Sequence, residues 1–559
     1  MRRQEARTAG AASRALLASL AALASLAALV VYAGGCSAIL GFEDTTVRSD
    51  VDGGPTESGI PVDEAGARPD SGASRLTVKP ATLVVRRGAG VDLAVDLARG
   101  SDVTGAVTLT LAALPPGVTA PAATLAPTVT TAVVHLTAAP TATLGSTSIT
   151  LTADGTPLPP VSIPLLVADL PGALDVTFDS DGLVSDPSRG VGATFLAVAV
   201  QPDGKVVAAG GAAATAGAAL NGWVLRRYAP NGAPDTAFNT LTSAAGVSPV
   251  EGQVQALAID AKGNVVCVGF TLAAPARQLT ILRLLPTGAL DKTFGGTGLV
   301  RIPSEAPATA SFGLGVAVQP DGAVVVVGSR RDLAGTTDTG ILTRFLENGA
   351  RDTTFNGGTT VAVAGTRFVG VAADGDGFLI GGSTIGGALP SYFATRRSGQ
   401  GVIDATFGTG GGASFGNTFR ANAFARLLDG SIALVGDVPT AMAGYTAGVA
   451  SPKGAAVFAR GYGNAAAAGF FGIAVQADGA IVAAGHTAVM NGEARVERIL
   501  PGGDKDVTFG TAGVATIEAA GTANGIDVTL FATAVQPDGR IVVAGSRTNA
   551  GAVLYRLWP

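Results

Sequence analysis

From residue 75 onward, apolar and polar positions alternate in short runs. Leu76-Thr77-Val78, Val91-Asp92-Leu93-Ala94-Val95-Asp96-Leu97, Val107-Thr108-Leu109-Thr110-Leu111 and Ile149-Thr150-Leu151-Thr152 all have a period of two. That period buries one face of a strand and wets the other. Gly, Pro and Ser break the runs at short intervals over 75–169, and the spacing predicts about seven strands in a sandwich.

Beyond residue 170 the pattern repeats. An apolar run, an Asp-Gly turn, a second apolar run and a glycine recur with two glycines six residues apart, at 204/210, 263/269, 322/328, 375/381, 430/436, 479/485 and 539/545. Seven copies spaced 49 to 60 residues apart predict seven supersecondary units. Asp precedes the first glycine in six copies, and Lys262 stands there in the other. Two β runs flanking Pro-Asp-Gly predict a hairpin, because Pro fixes φ and Gly accepts positive φ.

A second motif follows, running from an Arg through a turn to Asp and Phe. Its intact copies pair Arg227 with Asp235, Arg283 with Asp291, Arg344 with Asp352, Arg396 with Asp404 and Arg498 with Asp506, always eight apart. A simple hairpin puts the two opposite each other across the strands. In the fifth repeat Val449 and Val457 replace both partners, as expected if an apolar exchange replaces a packed pair. The first repeat opens at Leu174-Asp175 with no preceding Arg, and the chain ends at Arg556-Leu557-Trp558-Pro559 with no following Asp. Arg556 and Asp175 are therefore expected to pair, joining the two ends of the repeat region.

These motifs resemble the Delta-60 repeat of bacterial surface proteins. The resemblance rests on Leu174-Asp175-Val176-Thr177-Phe178 followed by Ala199-Val200-Gln201-Pro202-Asp203-Gly204-Lys205, with further copies at 317–322 and 534–539. It covers about 172–559, implies a propeller and carries no catalytic residues. The expected fold is all-β: an immunoglobulin-like sandwich at 75–169, then a seven-bladed propeller at 170–559 closed by its N-terminal segment. The likeness to an immunoglobulin-like domain is architectural, because no Cys…Trp…Cys core is present.

The N-terminus reads as an address. Arg2, Arg3, Arg7 and Arg14 precede an uncharged run over 15–31, followed by Tyr32-Ala33-Gly34-Gly35-Cys36. A basic start, an apolar stretch and small residues mark a secretory signal over 1–35. The approach to Cys36 resembles the lipobox of bacterial lipoproteins, although Ala33 stands where Leu is usual. That resemblance implies cleavage before Cys36, acylation on it and, from Ser37, delivery to the outer membrane. Residues 36–74 are then the acylated cysteine and a flexible linker rich in Asp, Glu, Gly, Pro and Ser.

Composition narrows the chemistry. Charged residues make up 14%, mean hydropathy is +0.41, and two His and two Cys are present among 559 residues. Disorder, a disulfide framework and a Cys/His zinc centre are thereby disfavoured. A net charge of −5 offers no phosphate-binding surface, so no nucleic-acid partner is expected. His135 and His486 share no motif and read as structural, surface or half-buried. Cys267 sits in an apolar strand and reads as a small hydrophobe. Asp374-Gly375-Asp376-Gly377 and Asp179-Ser180-Asp181-Gly182 lack the further acids a calcium loop needs. No nucleophile elbow or phosphate loop occurs in its required context.

The expectation is a monomeric, non-enzymatic lipoprotein without cofactor or metal, held to the outer membrane through Cys36 and facing the periplasm or the cell surface. Its repeat unit would act as a binding or scaffold module for a protein or polysaccharide. A hydrolase or lyase working in the propeller channel is one alternative, and a structural envelope or adhesion component is the second.

Overall fold

A computed structural model describes residues 73–559, apart from 187–191, 213–221, 239–250, 274–275, 303–308, 333–337, 386–389, 416–418, 439–443, 463–467, 488–493, 519–527 and 549. The signal segment, Cys36 and the linker up to 72 lie outside the described residues. The chain divides into two compact units at Leu170/Pro171.

The smaller unit has nine described strands in two open sheets. One sheet orders Arg75–Lys79, Gly90–Ala98, Thr131–Ala138 and Val118–Thr119; the other orders Leu83–Arg86, Val161–Ala168, Gly145–Asp154, Val107–Ala112 and Ala123–Leu125. Leu93, Val95 and Leu97 alternate inward against Leu109, Ile149, Leu151 and Ile163, all buried. Leu83–Arg86 pairs parallel with Val161–Ala168 in register Leu83↔Leu165. The expected immunoglobulin-like sandwich is corrected to this nine-strand arrangement.

The larger unit contains seven sheets, each an antiparallel meander. Sheet 2, for example, runs Gly252–Ile259, Val265–Ala273, Ala276–Leu284 and Leu299–Ile302. Sheets 3 to 6 begin at Thr309, Thr366, Arg420 and Ala468, and each has four strands. Sheet 1 shows three among the described residues: Ala193–Val200, Val206–Ala212 and Gly222–Tyr228. Sheet 7 combines Val528–Val535, Ile541–Arg547 and Gly551–Leu557 with the distant Leu183–Ser185.

The glycine spacing now has a cause. The first glycine of each pair turns the hairpin, with φ near +80° at Gly204, Gly263 and Gly322. The second faces a β-bulge in the first strand. In sheet 3 the register shifts between Gly313 and Gly315, and a Cβ on Gly328 would lie 1.8 Å from the Phe312 carbonyl oxygen. All seven first strands carry this shift. A side chain cannot fit where the bulge brings the two backbones together. The fourth hairpin departs from the others: Asp374 pairs directly with Gly377, making a tighter turn.

The seven sheets do not close into one hydrogen-bonded structure. Every ladder ends within its own sheet, each sheet is open, and neighbouring sheets meet through side chains and isolated turn contacts. The expected seven-bladed propeller closed by its N-terminal segment is corrected accordingly. The reason lies in the local chain path: a repeat satisfies its strand hydrogen bonds against its own hairpins, leaving no ladder to extend. Residues 172–185 complete one sheet and go no further. Apolar packing fills the spaces between sheets, as where Val265, Cys267 and Leu282 of sheet 2 meet Ala199, Val207 and Leu225 of sheet 1.

Candidate functional site

The repeated arginines sit at the ends of third strands, and the following turn returns each chain to its own Asp. Asp235 N–H donates to the Arg227 carbonyl at 2.9 Å, so the pair is cross-strand. Arg Nε meets Asp Oδ2 at 2.9 Å for 227/235 and at 2.7 Å for 283/291, 396/404 and 556/175. Arg344 with Asp352 and Arg498 with Asp506 are likewise ion-paired. Burial is graded: Arg556 is 1% and Asp175 0% exposed, whereas the side chains of Arg396 and Asp404 are 29% and 31% exposed.

Each Asp has a second task. Asp291 Oδ1 accepts from Thr293 N at 3.0 Å and Thr293 Oγ1 at 2.6 Å. Asp175, Asp352, Asp404 and Asp506 hold the Thr two residues on in the same way. Burial alone would raise the Asp291, Asp352 and Asp506 carboxyls. The Thr and Arg hydrogen bonds outweigh it, and all three titrate below the ordinary carboxylate range. At Asp404 the Thr406 hydroxyl leads the same lowering.

The guanidinium reaches further than its own turn. Arg227 Nη1 donates to the Pro286 carbonyl at 2.5 Å, and Arg283 Nη1 to the Glu347 carbonyl at 2.5 Å. Arg396 reaches the Pro452 carbonyl at 3.4 Å, and Arg556 the Pro230 carbonyl. Each acceptor lies in the turn of the neighbouring sheet. The guanidinium also covers the motif Phe, at 4.6 Å for Arg227 over Phe238 and 4.5 Å for Arg556 over Phe178. The residue after that Phe adds a backbone link to the same neighbouring turn. Gly295 N donates to the Asn348 carbonyl at 2.8 Å, and Gly408 N to the Lys453 carbonyl at 2.8 Å. The repeated pair is thus one part of a joint between sheets.

Sequence reasoning missed a third member. The Gln opening the Gln-Pro-Asp-Gly turn accepts from the same Arg, at 2.7 Å between Arg344 Nε and Gln319 Oε1 and at 2.6 Å between Arg498 Nε and Gln476 Oε1. Gln536 Nε2 then donates to the Gly204 carbonyl at 2.9 Å. Its recurrence at 201, 319, 476 and 536 was the available signal. In the last sheet Asp175 accepts from both Arg556 and Arg540, the latter at 3.2 Å. Burial and the charge of Arg540 lower the Arg556 guanidinium to about 10.

The fifth repeat does not replace its ion pair with an apolar contact. Val449 is buried, but Val457 is 54% exposed. The joint is rebuilt from other residues. Phe458 fills the slot beneath Gly503, where a Cβ would lie 2.8 Å from its ring. Tyr462 Oη donates to the Gly503 carbonyl at 2.8 Å, and Arg460 Nη1 does so at 3.3 Å. Beside it Glu497 is wholly buried, paired with Arg495 and with Lys505 Nζ at 3.0 Å. Burial raises its carboxyl despite those two cations.

The remaining candidates are dispersed. His135 is exposed and meets Asp92 at 2.6 Å. His486 is fully buried, not half-buried; it stacks on Phe471 at 4.5 Å and bonds the Leu530 carbonyl at 3.0 Å through Nδ1. Burial depresses it to about 4. Cys267 is buried among apolar neighbours, which pushes its thiol far up. Among the described residues no cluster of three or more His, Cys, Asp or Glu could hold a metal ion. No described helix is long and apolar enough to cross a membrane, a statement that leaves β-barrels aside.

Residues 201–238, 319–355 and 536–559 match the family model described as "Domain of unknown function (DUF5122) beta-propeller". Each stretch begins on a joint glutamine: Gln201, Gln319 or Gln536. The match and the all-β repeats are consistent with a propeller-like repeat fold. Comparison with curated proteins gives no match. Among solved structures, Sqt1 from Chaetomium thermophilum is similar over 67% of this chain and 100% of its own, at 13% identity and TM-score 0.32. A puromycin hydrolase is similar over 68% and 61%, at 14% identity and TM-score 0.31. Domains 4 and 5 of the S-layer protein SbsC are similar over 17% of this chain, which spans half the length of that structure, at 21% identity and TM-score 0.14. Scores this low carry no argument about fold or activity.

Proposed function

We propose that this chain is a structural component of the bacterial cell envelope, exported and held to the outer membrane by a lipid on Cys36. The observation that carries the structural reading is the use of the repeated charges. Each Arg is consumed by its own Asp, a neighbouring turn carbonyl or both, so the polar groups that recur along the unit join its sheets. The small-residue run ending at Cys36 supports the anchor. Metabolic labelling of the full chain with a fatty acid, followed by membrane fractionation, tests it. Cys36→Ala should abolish the label and release the protein or block its maturation; unchanged labelling of the variant would sink the anchor. Envelope integrity in a deletion strain tests the structural role, with detergent sensitivity as the readout.

A second reading, a binding module, is favoured by one feature. Leu285, Leu346, Val402 and Leu500 are large exposed aliphatic residues on the turns after the third strands of four sheets. Capture of a single defined partner by the full chain, lost on changing these four to Ser, would favour that reading.

A further inference from the structure

The last sheet is assembled from the two ends of the repeat unit. Leu183–Ser185 pairs antiparallel with Gly551–Leu557 in register Leu183↔Tyr555, Val184↔Leu554 and Ser185↔Val553. Upstream, Gly172 N donates to the Trp558 carbonyl at 3.0 Å and Asp175 N to the Arg556 carbonyl at 2.8 Å. Asp175, Phe178 and Val184 bury almost completely in the seat this makes. The Asp175 carboxylate takes hydrogen bonds from Arg556, 381 residues away, and Arg540, 365 away. The segment therefore occupies a preformed seat, connected through the chain to the first sheet and through contacts alone to the last.

We propose that residues 172–185 form an exchangeable strand, and that the seat beside Gly551–Leu557 accepts the same segment from a second copy of this chain. Every contact that holds the segment is available unchanged from another copy, because the sequence and the seat are identical. Exchange of an identical element is a low-barrier route to a dimer. The chain's own segment has the advantage of high effective concentration. The exchanged form therefore arises when two chains fold together, and folded monomers retain their own strand.

The pairing supplies a direct test. Asp186 N donates to the Ala552 carbonyl and Arg556 N to the Gly182 carbonyl, both at 3.0 Å, so Ser185 and Val553 form the non-hydrogen-bonded pair between them. Such a pair brings the side chains closest, at a spacing that suits a disulfide. Full-length chains carrying Ser185→Cys or Val553→Cys, each in a Cys36→Ser background, are unfolded together and refolded at increasing concentration. The expected result is a disulfide-linked dimer joining Cys at 185 of one chain to Cys at 553 of the other, with a yield that rises with concentration. Mixing the two folded proteins should give background linkage only. Light scattering on the refolded Cys36→Ser parent should show the same concentration-dependent dimer without any added cysteine. Absence of that dimer at every concentration overturns the proposal. So does a dimer that never links 185 to 553 while the double variant forms the link within one chain.

Discussion

Arg556 and Asp175 lie 381 residues apart in sequence and 2.7 Å apart in the structure. An arginine this deeply buried stays charged only because its donors are matched, and removing one member strands the other. Breaking a buried pair costs about 3–5 kcal/mol, whereas exchanging both partners can be far milder. Arg283→Val, at the most enclosed of the local pairs, should therefore lower unfolding free energy by about 3 kcal/mol or more. Adding Asp291→Val should recover only part, because Thr293 and the Glu347 carbonyl lose partners as well. A double-mutant cycle by urea denaturation checks this; strict additivity would refute the coupling. His486 gives a pH signature. It is neutral in the fold with its pKa near 4, and an unfolded imidazole titrates near 6.5. The unfolded chain thus binds the proton first, so this contribution is complete above about pH 6.5 and is lost as pH falls toward about 4. His486→Phe should flatten that slope in melting curves between those limits. The lowered Asp291, Asp352 and Asp506 carboxyls add a separate loss below about pH 4, again because the unfolded chain takes up protons first. The Arg–Asp offset of eight was legible in the sequence because both partners share one hairpin. Their third acceptor was not, since it is a backbone carbonyl in another repeat and leaves no side-chain signature.

The strand pairs were legible for the same local reason. Alternation placed strands correctly in both units, and the two glycines marked each hairpin. What the glycine at the far end was for could not be read from one strand, because a bulge is a relation between two. Phe312, Gly313 and Gly315 crowd Gly328 only after the hairpin has closed. Gly328→Ala is expected to destabilise by several times the roughly 1 kcal/mol that ordinary core changes average, since a Cβ there meets backbone. Gly296→Ala is the control for positive φ alone: it lies at φ +75° with open space around its Cβ position. Chemical denaturation of both variants separates collision from conformational strain. The fifth repeat shows where local reading fails. Val449 and Val457 suggested a coupled apolar exchange, yet Val457 faces solvent and Phe458, Arg460 and Tyr462 rebuild the joint from the following strand.

At the scale of the whole molecule, counting repeats predicted seven units but not how hydrogen bonds would be distributed among them. Each repeat closes its ladders internally, so the association of sheets rests on packing and on the arginine joints. Deleting residues 172–185 should therefore open sheet 7 first, by exposing the edge of Gly551–Leu557 and leaving Arg556 and Arg540 without Asp175. Hydrogen exchange should show early loss of protection in 541–557; unchanged protection there would contradict the account. The joint also has a consequence for copy number. An arginine addresses whichever turn comes next, through a carbonyl that any sequence supplies, and not through a named side chain. Excising one whole period, from Arg283 to the residue before Arg344, brings the Arg344 turn to the place the Arg283 turn held. Arg227 would then find the Glu347 carbonyl in place of that of Pro286. Unequal crossing-over in phase with the joint can thus lengthen or shorten the gene by whole repeats without orphaning a single guanidinium.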